Sequence, residues 1–220
     1  MKIAYQGIEG SYSESCAREK YPDCKTFISC KTFDEVFDKA NGNENIMAII
    51  PESNKTTGNI GVEYLIFKYR LNICAEHFYP IRHHLLGLPG TKLEDIKNVY
   101  SHAQGLSQCS NFIKKNSLIE NVRADTAGSA KYISVNKDKK EAAIASKESA
   151  KIYNLDVLAS NIEDEKENVT RFLIFSKKIL QPDLDKNKYI TSLLFKLKDK
   201  PAALYSALSG FAIQGVNLTK

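Results

Sequence analysis

The chain has 220 residues, and its five cysteines and four histidines form no CxxC pair and no HExxH motif. Cys16, Cys24, Cys30, Cys74 and Cys109 are scattered and odd in number, and His77, His83, His84 and His102 likewise follow no metal-ligand spacing. That spacing argues against a zinc site and a disulfide framework and leaves reduced, buried thiols, so no metal is expected. No apolar run approaches the roughly 18 residues of a membrane span, and no basic-then-apolar leader opens the chain. The reading that follows is a cytoplasmic protein, neither secreted nor membrane-inserted. Charge of one sign is never concentrated: 31 Lys and Arg against 26 Asp and Glu give a net +5 spread along the sequence. Without a basic stripe or a helix-turn-helix segment, nucleic acid is not the expected partner, and small anions are. Low-complexity tracts are absent too, and 43% hydrophobic residues suffice for one large or two modest cores.

What is present is a repeated strand-to-helix junction. Lys2 to Gln6 alternates as a strand and runs into GIEGSYSE, after which an amphipathic helix reaches about Lys20. Glycines there let backbone approach a ligand, and Ser11 or Ser13 can cap the helix, leaving N–H groups for a carboxylate. A plain glycine turn with a capping serine fits the same residues. Phe27 to Cys30 reads as a strand, Phe33 to Ala40 as a helix and Ile46 to Ile50 as a strand ending at Pro51. The loop ESNKTTG then carries Asn54, Lys55, Thr56 and Thr57 before a helix over about Asn59 to Tyr69. Two such loops on one parallel sheet open at the same edge.

Asn72 to Pro80 is extended and reads as a crossing between two α/β units, a place for a hinge. A second unit follows: a strand over Asn98 to Ser101, then SHAQGLSQC opening a helix to about Lys115. Ser101 with Gln104 has capping-box spacing, and Gln104 can equally face a ligand. After the strand Ile119 to Val122, ADTAGSA starts another helix with Asp125 or Thr126 as cap, and Gly128 in its first turn points to a close backbone approach. Ala142 to Ala145, a helix over Ser146 to Tyr153 and a strand over Leu155 to Leu158 lead back to ENVTRFLIF, Glu167 to Phe175. RFLIF is a buried strand by composition, which puts Asn168, Thr170 and Arg171 at its mouth, where a rigid element fixes a hydroxyl and a guanidinium. Beyond Lys178 a polar, proline-bearing linker leads to an alternating strand over Tyr189 to Leu197. Pro201 then opens a helix with Leu204, Leu208 and Phe211 on one face, and Val216 to Leu218 begins a further strand.

GIEGSYSE, SHAQGLSQC, ADTAGSA and NVTRF, in this order and spacing, resemble the prephenate dehydratase family over nearly the whole chain. The resemblance implies an α/β fold with a two-lobed catalytic domain related to type 2 periplasmic binding proteins, over residues 1–178. Lobe one would take about 1–79 and 158–178, lobe two about 80–157. It further implies a linker at 179–188 and, at 189–220, an incomplete α+β regulatory ACT domain of ferredoxin-like form. It implies conversion of prephenate to phenylpyruvate without metal or redox cofactor, homo-oligomers, and L-phenylalanine as effector where the ACT domain is complete. Residue by residue, Thr170 is expected to assist departure of the ring hydroxyl. Ser11, Asn54, Lys55, Gln104, Thr126, Ala127, Arg171 and Phe172 are expected around the substrate. Arg171 would anchor a carboxylate or hold its loop through a backbone or acidic partner, and Phe172 would pack in the core or meet the ring. The family usually reads glutamate, asparagine, serine where this chain has Ser53, Asn54 and Lys55, so the asparagine is kept and its two neighbours differ, and Ala202 stands where glycine is usual. Arogenate dehydration and a non-catalytic solute-binding module of the same fold are the alternatives.

Overall fold

The computed structural model describes residues 1–179, 191, 193 and 195–218. The chain begins β1 (Lys2–Gln6), α1 (Tyr12–Lys20), β2 (Phe27–Cys30), α2 (Phe33–Gly42), β3 (Ile46–Asn54), β4 (Gly58–Asn59), α3 (Glu63–Tyr69) and β5 (Asn72–Pro80). It continues β6 (His84–Gly87), β7 (Asn98–Ser101), α4 (Ala103–Ser107), α5 (Ser110–Lys115), β8 (Ile119–Val122) and α6 (Thr126–Asn136). Then come β9 (Glu141–Ala145), α7 (Lys147–Ile152), β10 (Asp156–Ser160), the returning strand β11 (Val169–Ser176) and α8 (Ala203–Ile213). The first sheet runs β2-β1-β3-β11-β5, with β4 on β3, and the second β10-β6-β9-β7-β8.

Side-chain alternation divides the apolar residues of the first sheet between two cores. Ile3, Tyr5, Met47, Ile49, Phe172 and Ile174 pack on the α1 face, against Cys16 and Ala17. Ala4, Ala48, Ile50, Leu173 and Phe175 pack on the opposite face, against Val36, Phe37 and Ala40 of α2 and Leu65 of α3. The second sheet does the same, with Leu85, Val99 and Ile144 under α4 and α5 and Leu86, Ala143 and Ala145 under α6 and α7. Because β1 and β3 are parallel neighbours, the loops after them open at one sheet edge, as their sequence order predicts.

The chain crosses between the sheets twice, and the crossings hold each other. Ile81 N–H donates to Asn168 O at 2.9 Å, and Ile162 N–H to His83 O at 3.0 Å. The buried Glu163 carboxylate takes the His83 N–H at 2.9 Å and the Arg82 guanidinium at 3.2 Å. Two sequence expectations change here. Asn72 to Pro80 is no crossing: it pairs along β11 as an edge strand, and the crossing is the shorter stretch after it. The return to the first lobe does not come at 158 either, since Asp156–Ser160 pairs antiparallel with β6 in the second sheet.

Three helix expectations change for local reasons. Gly58 and Asn59 pair with β3 as a short hairpin strand, so the helix expected from Asn59 starts only at Glu63. The helix expected to run unbroken to Lys115 divides at Cys109, where Asp164 accepts the Asn111 N–H at 3.2 Å and starts a new one. Ser101 does not cap α4: its hydroxyl donates to Ile144 O at 2.7 Å, and His102 is the N-cap, accepting from the Gln104 N–H.

A separate unit comprises Pro182–Lys220. Its described part contains α8, which starts two residues after Pro201. The linker expected at 179–188 lies, from 180 on, outside the described residues, as does part of the strand expected over Tyr189 to Leu197. Its described members Thr191, Leu193, Phe195, Lys196 and Leu197 are not in a strand, nor are Val216 to Leu218.

Candidate active site

Between the two lobes lies a cleft of about 390 Å³, into which the ends of β1, β3, β11 and the starts of α1, α4 and α6 converge. Ser11, Asn54, Gln104, Thr126, Thr170 and Phe172 line it, six of the nine expected site residues. Parity along β11 puts Thr170 and Phe172 on this side, the same side as Ile174. Phe172 lines the cleft and is also part of the core under α1.

Thr170 is buried, and its Oγ1 accepts a hydrogen bond from Asn54 Nδ2 at 2.8 Å. The other Asn54 Nδ2 contact is Asn168 Oδ1, also at 2.8 Å. Asn54 Oδ1 in turn accepts the Thr56 N–H at 2.9 Å, the Thr57 N–H at 3.2 Å and the Thr56 hydroxyl at 2.6 Å. Backbone N–H groups only donate, so they fix which end of the Asn54 amide faces Thr170. The Thr170 hydroxyl therefore has an engaged acceptor side and a hydrogen left to give.

The second lobe reaches the same loop. Gln104 Nε2 donates to Thr57 Oγ1 at 2.8 Å, and Gln108 Nε2 to Thr56 Oγ1 at 2.9 Å. Behind Gln108 stands His83, 2% exposed, its Nε2 at 2.9 Å from Gln108 Oε1 and its Nδ1 at 2.8 Å from Tyr12 Oη. Burial pushes the His83 imidazole below the ordinary histidine value, the largest cause, against the Gln108 hydrogen bond and the Glu163 charge. Burial likewise holds the Tyr12 phenol well above its usual range. Tyr12, His83 and Gln108 line the cleft but were not among the expected residues. Tyr12 and Gln108 sit inside quoted motifs, one residue after Ser11 and seven after Ser101, where helical periodicity places them over the cleft. His83 lies in a crossing with no periodic signal.

Two helices from facing lobes offer amides to the cleft. Ser11 is the N-cap of α1, accepting the Glu14 N–H at 3.4 Å, and Asp125 is the N-cap of α6, accepting the Gly128 N–H at 2.5 Å. Thr126 and Ala127 are the first two residues of α6, whose N–H groups have no intrahelical acceptor. Ala127 side chain itself is buried in the second lobe and does not line the cleft, so its contribution is limited to backbone. The close approach read from Gly128 is to its own cap, since a Cβ there would lie 2.8 Å from Asp125 Oδ2.

Lys55 and Arg171 are elsewhere. Arg171 shares parity with Leu173 and so faces the other side of the sheet. There its Nη2 lies 2.7 Å from Glu76 Oε2 and its Nη1 3.4 Å from Glu52 Oε2. A register shift in β3 beside Arg171 turns Glu52 toward it. Arg171 thus has acidic partners, one of the holds expected for it, and is not among the cleft residues. Lys55 Nζ pairs on the surface with Glu167, whose carboxyl it holds below the usual range, and Lys55 is not among the cleft residues. Among the described residues the cleft lining contains no lysine or arginine, so an anion there would meet amides and hydroxyls, with helix starts as the source of positive potential.

Fold and cleft together define a two-lobed α/β protein with an interlobe pocket lined by helix starts and by hydroxyls, Thr170 among them. The prephenate dehydratase family profile matches residues 3–179, and the chain belongs to that family. Among curated relatives, arogenate dehydratase 2 of Petunia hybrida is 42% identical over 221 residues, covering all of this chain and 56% of its own length. The chain thus spans about half the length of the curated relatives it matches. Prephenate dehydratase from Arthrobacter aurescens, solved in complex with L-Phe, superposes with a TM-score of 0.86 at 26% identity, covering all of this chain and 75% of that one. A solved protein described as GqqA, a novel type of quorum quenching acylase, superposes at 0.83 with 30% identity, covering all of this chain and 80% of that one.

Proposed function

We propose that this chain is a carbon–oxygen lyase that turns prephenate into phenylpyruvate, carbon dioxide and water within phenylalanine biosynthesis. The observation that carries the reading is the Thr170 hydroxyl, lining the cleft with its acceptor side taken by Asn54. As the carbon–carbon bond to the ring carboxylate breaks, its electron pair moves into the ring, and the carbon–oxygen bond of the ring hydroxyl breaks in turn. Aromatisation supplies the driving force, so orientation and stabilisation of the departing oxygen are what the protein must add. Thr170 donates to that oxygen, and the proton completing water is replenished from solvent. A threonine hydroxyl is too weak an acid to work by acidity, and its advantage is a fixed position. Amides at the starts of α1 and α6 take carboxylate oxygens, and Phe33, Pro51, Ile60 and Phe172 supply the apolar wall for a ring.

Arogenate, with an amino group in place of the keto oxygen, is the second reading, supported by the identity to the Petunia hybrida arogenate dehydratase. The proposal places the protein in a reducing, soluble compartment such as the cytoplasm, which suits its five free thiols. It also takes the chain as a homo-oligomer, with the segment beyond 189 as part of an ACT domain responsive to L-phenylalanine. That assignment draws on the sequence resemblance and on the L-Phe complex of the Arthrobacter aurescens enzyme. Incubation with prephenate and, separately, arogenate tests it. Phenylpyruvate from the first is the expected product, phenylalanine from the second alone would select the alternative, and turnover of neither would remove the dehydratase reading.

A further inference from the structure

The polar groups behind Thr170 form one chain whose direction can be worked out from its fixed end. Asn54 Oδ1 is held by two backbone N–H donors, so it can only accept from the Thr56 hydroxyl, and Thr56 Oγ1 must then spend its hydrogen on Asn54. Thr56 is left to accept, which turns the Gln108 amino group toward it and the Gln108 carbonyl toward His83. A carbonyl cannot donate, so His83 must carry its hydrogen on Nε2. In the neutral ring Nδ1 is then an acceptor, and the Tyr12 hydroxyl is within reach to donate to it at 2.8 Å. Tyr12, His83, Gln108, Thr56 and Asn54 thus each give one hydrogen in the direction of Thr170, while the second Asn54 amide hydrogen goes to Asn168 Oδ1 and the Thr170 hydrogen is not used within the chain.

We infer that His83 is a positioning residue for Thr170: acting through Gln108, Thr56 and Asn54, it strengthens by head-to-tail polarisation the Asn54 hydrogen bond that leaves the Thr170 hydrogen free. This rests on the reading of Thr170 as donor to the leaving hydroxyl. Hydrogen bonds aligned head to tail polarise one another, so a donor at the far end strengthens the one at the near end. The path also crosses between lobes twice, since His83 and Gln108 reach from the second lobe and its crossing to Thr56 and Asn54 of the first. An amide cannot hand on a proton by simple transfer, so the chain orients and does not relay. Protonation would not reverse it: Nδ1–H would donate to Tyr12 Oη, and Tyr12 would turn its hydrogen to Arg82 O, 2.9 Å away.

Two measurements test this, one of them independent of turnover. Nitrogen-15 NMR of the imidazoles near pH 8, with the His83 signals assigned by their loss in His83→Gln, should show the Nε2–H tautomer, and an Nδ1–H tautomer would overturn the chain's direction. In turnover of whichever acid the protein accepts, His83→Leu and Thr56→Val should each lower kcat about tenfold, the worth of one hydrogen bond, with KM within about threefold. His83→Gln, which keeps a donor at the Nε2 position, should recover most of that loss. In a Thr170→Ala background, His83→Leu should cost less than about twofold, because the effect has nowhere to land. A Gln variant no better than Leu, or an undiminished loss without Thr170, would overturn the inference. Thr56 is exposed on its loop, so Thr56→Val reads the same chain should His83→Leu fail to fold. Inactivity of the unaltered protein on both acids would count against the dehydratase reading alone, and the tautomer would still decide the direction of the hydrogen bonds.

Discussion

Thr170 and Arg171 are adjacent in sequence and work on opposite faces of β11. The guanidinium, 12% exposed, pairs with two carboxylates that are themselves mostly covered, Glu76 and Glu52. Removing it leaves two partly buried negative charges facing each other across the end of the sheet. Arg171→Ala should therefore lower unfolding free energy by about 1–3 kcal/mol, between the worth of an exposed pair and a buried one, while changing KM for the substrate less than about threefold. Urea titration beside steady-state kinetics checks both halves, and a large KM increase at unchanged stability would return Arg171 to the substrate. Lys55→Ala, altering a surface pair with Glu167, should leave kcat and KM within about twofold. The sequence displayed the residue types correctly at this scale. What it could not display was parity through the β3 register shift, which decides that Asn54 and Pro51 face the cleft while Glu52 turns to Arg171.

Elements meet across the lobes at a few backbone positions, Gly10 among them. Its carbonyl accepts from Ser146 Oγ at 2.8 Å and Ser149 Oγ at 2.9 Å at the start of α7. Its φ of +88° lies in the left-handed region, and a Cβ would sit 2.8 Å from Ser149 Oγ. Gly10→Ala should destabilise the protein by about 1–3 kcal/mol through strain and a loosened lobe contact, measurable as a lower urea midpoint. An unchanged midpoint would show that the two lobes do not depend on this contact. At the start of α6, Asp125→Ala should cost about 1 kcal/mol by freeing the Gly128 N–H, and a measured cost near zero would mean that solvent replaces the cap. The starts of α1 and α6 were legible because Ser11 and Asp125 mark them as caps, whereas those of α3, α4 and α5 depend on strand pairing and side-chain contacts made elsewhere. Strand extents were less so: nothing in PESN says that β3 runs on to Asn54, since its continuation depends on pairing with β11 and β4, both distant in sequence or short.

For the whole molecule, the order of βα units predicted two lobes, and the long-range pairing of β11 between β3 and β5 is what closes the first. The crossings were misplaced by a few residues because a strand that edges one sheet and a segment that joins two look alike until a partner is known. Those crossings also carry the molecule's response to acid. Burial pushes both His83 and His84 below the ordinary histidine value near 6.5, against the carboxylate of Glu163, and for His84 also that of Glu148. The unfolded chain then takes up protons that the folded one refuses. Stability should be flat above about pH 7 and fall as pH drops below about 6.5, until the folded imidazoles also protonate. Urea midpoints at pH 7.5 and 5.5 should show the decline, and His84→Gln should reduce it. An equal or higher midpoint at pH 5.5 would contradict the burial of these rings as neutral groups.

The account depends most on one hydroxyl in the interlobe cleft. The direct test compares kcat of the unaltered protein with that of Thr170→Val and Thr170→Ser on prephenate and on arogenate, with the urea midpoint of each protein recorded alongside. Valine keeps the shape and removes the donor. The expected result is a fall of about a hundredfold or more in kcat for valine, much of it recovered by serine, with all three proteins folded. Turnover by the valine variant at the rate of the unaltered protein would contradict the assignment of this cleft.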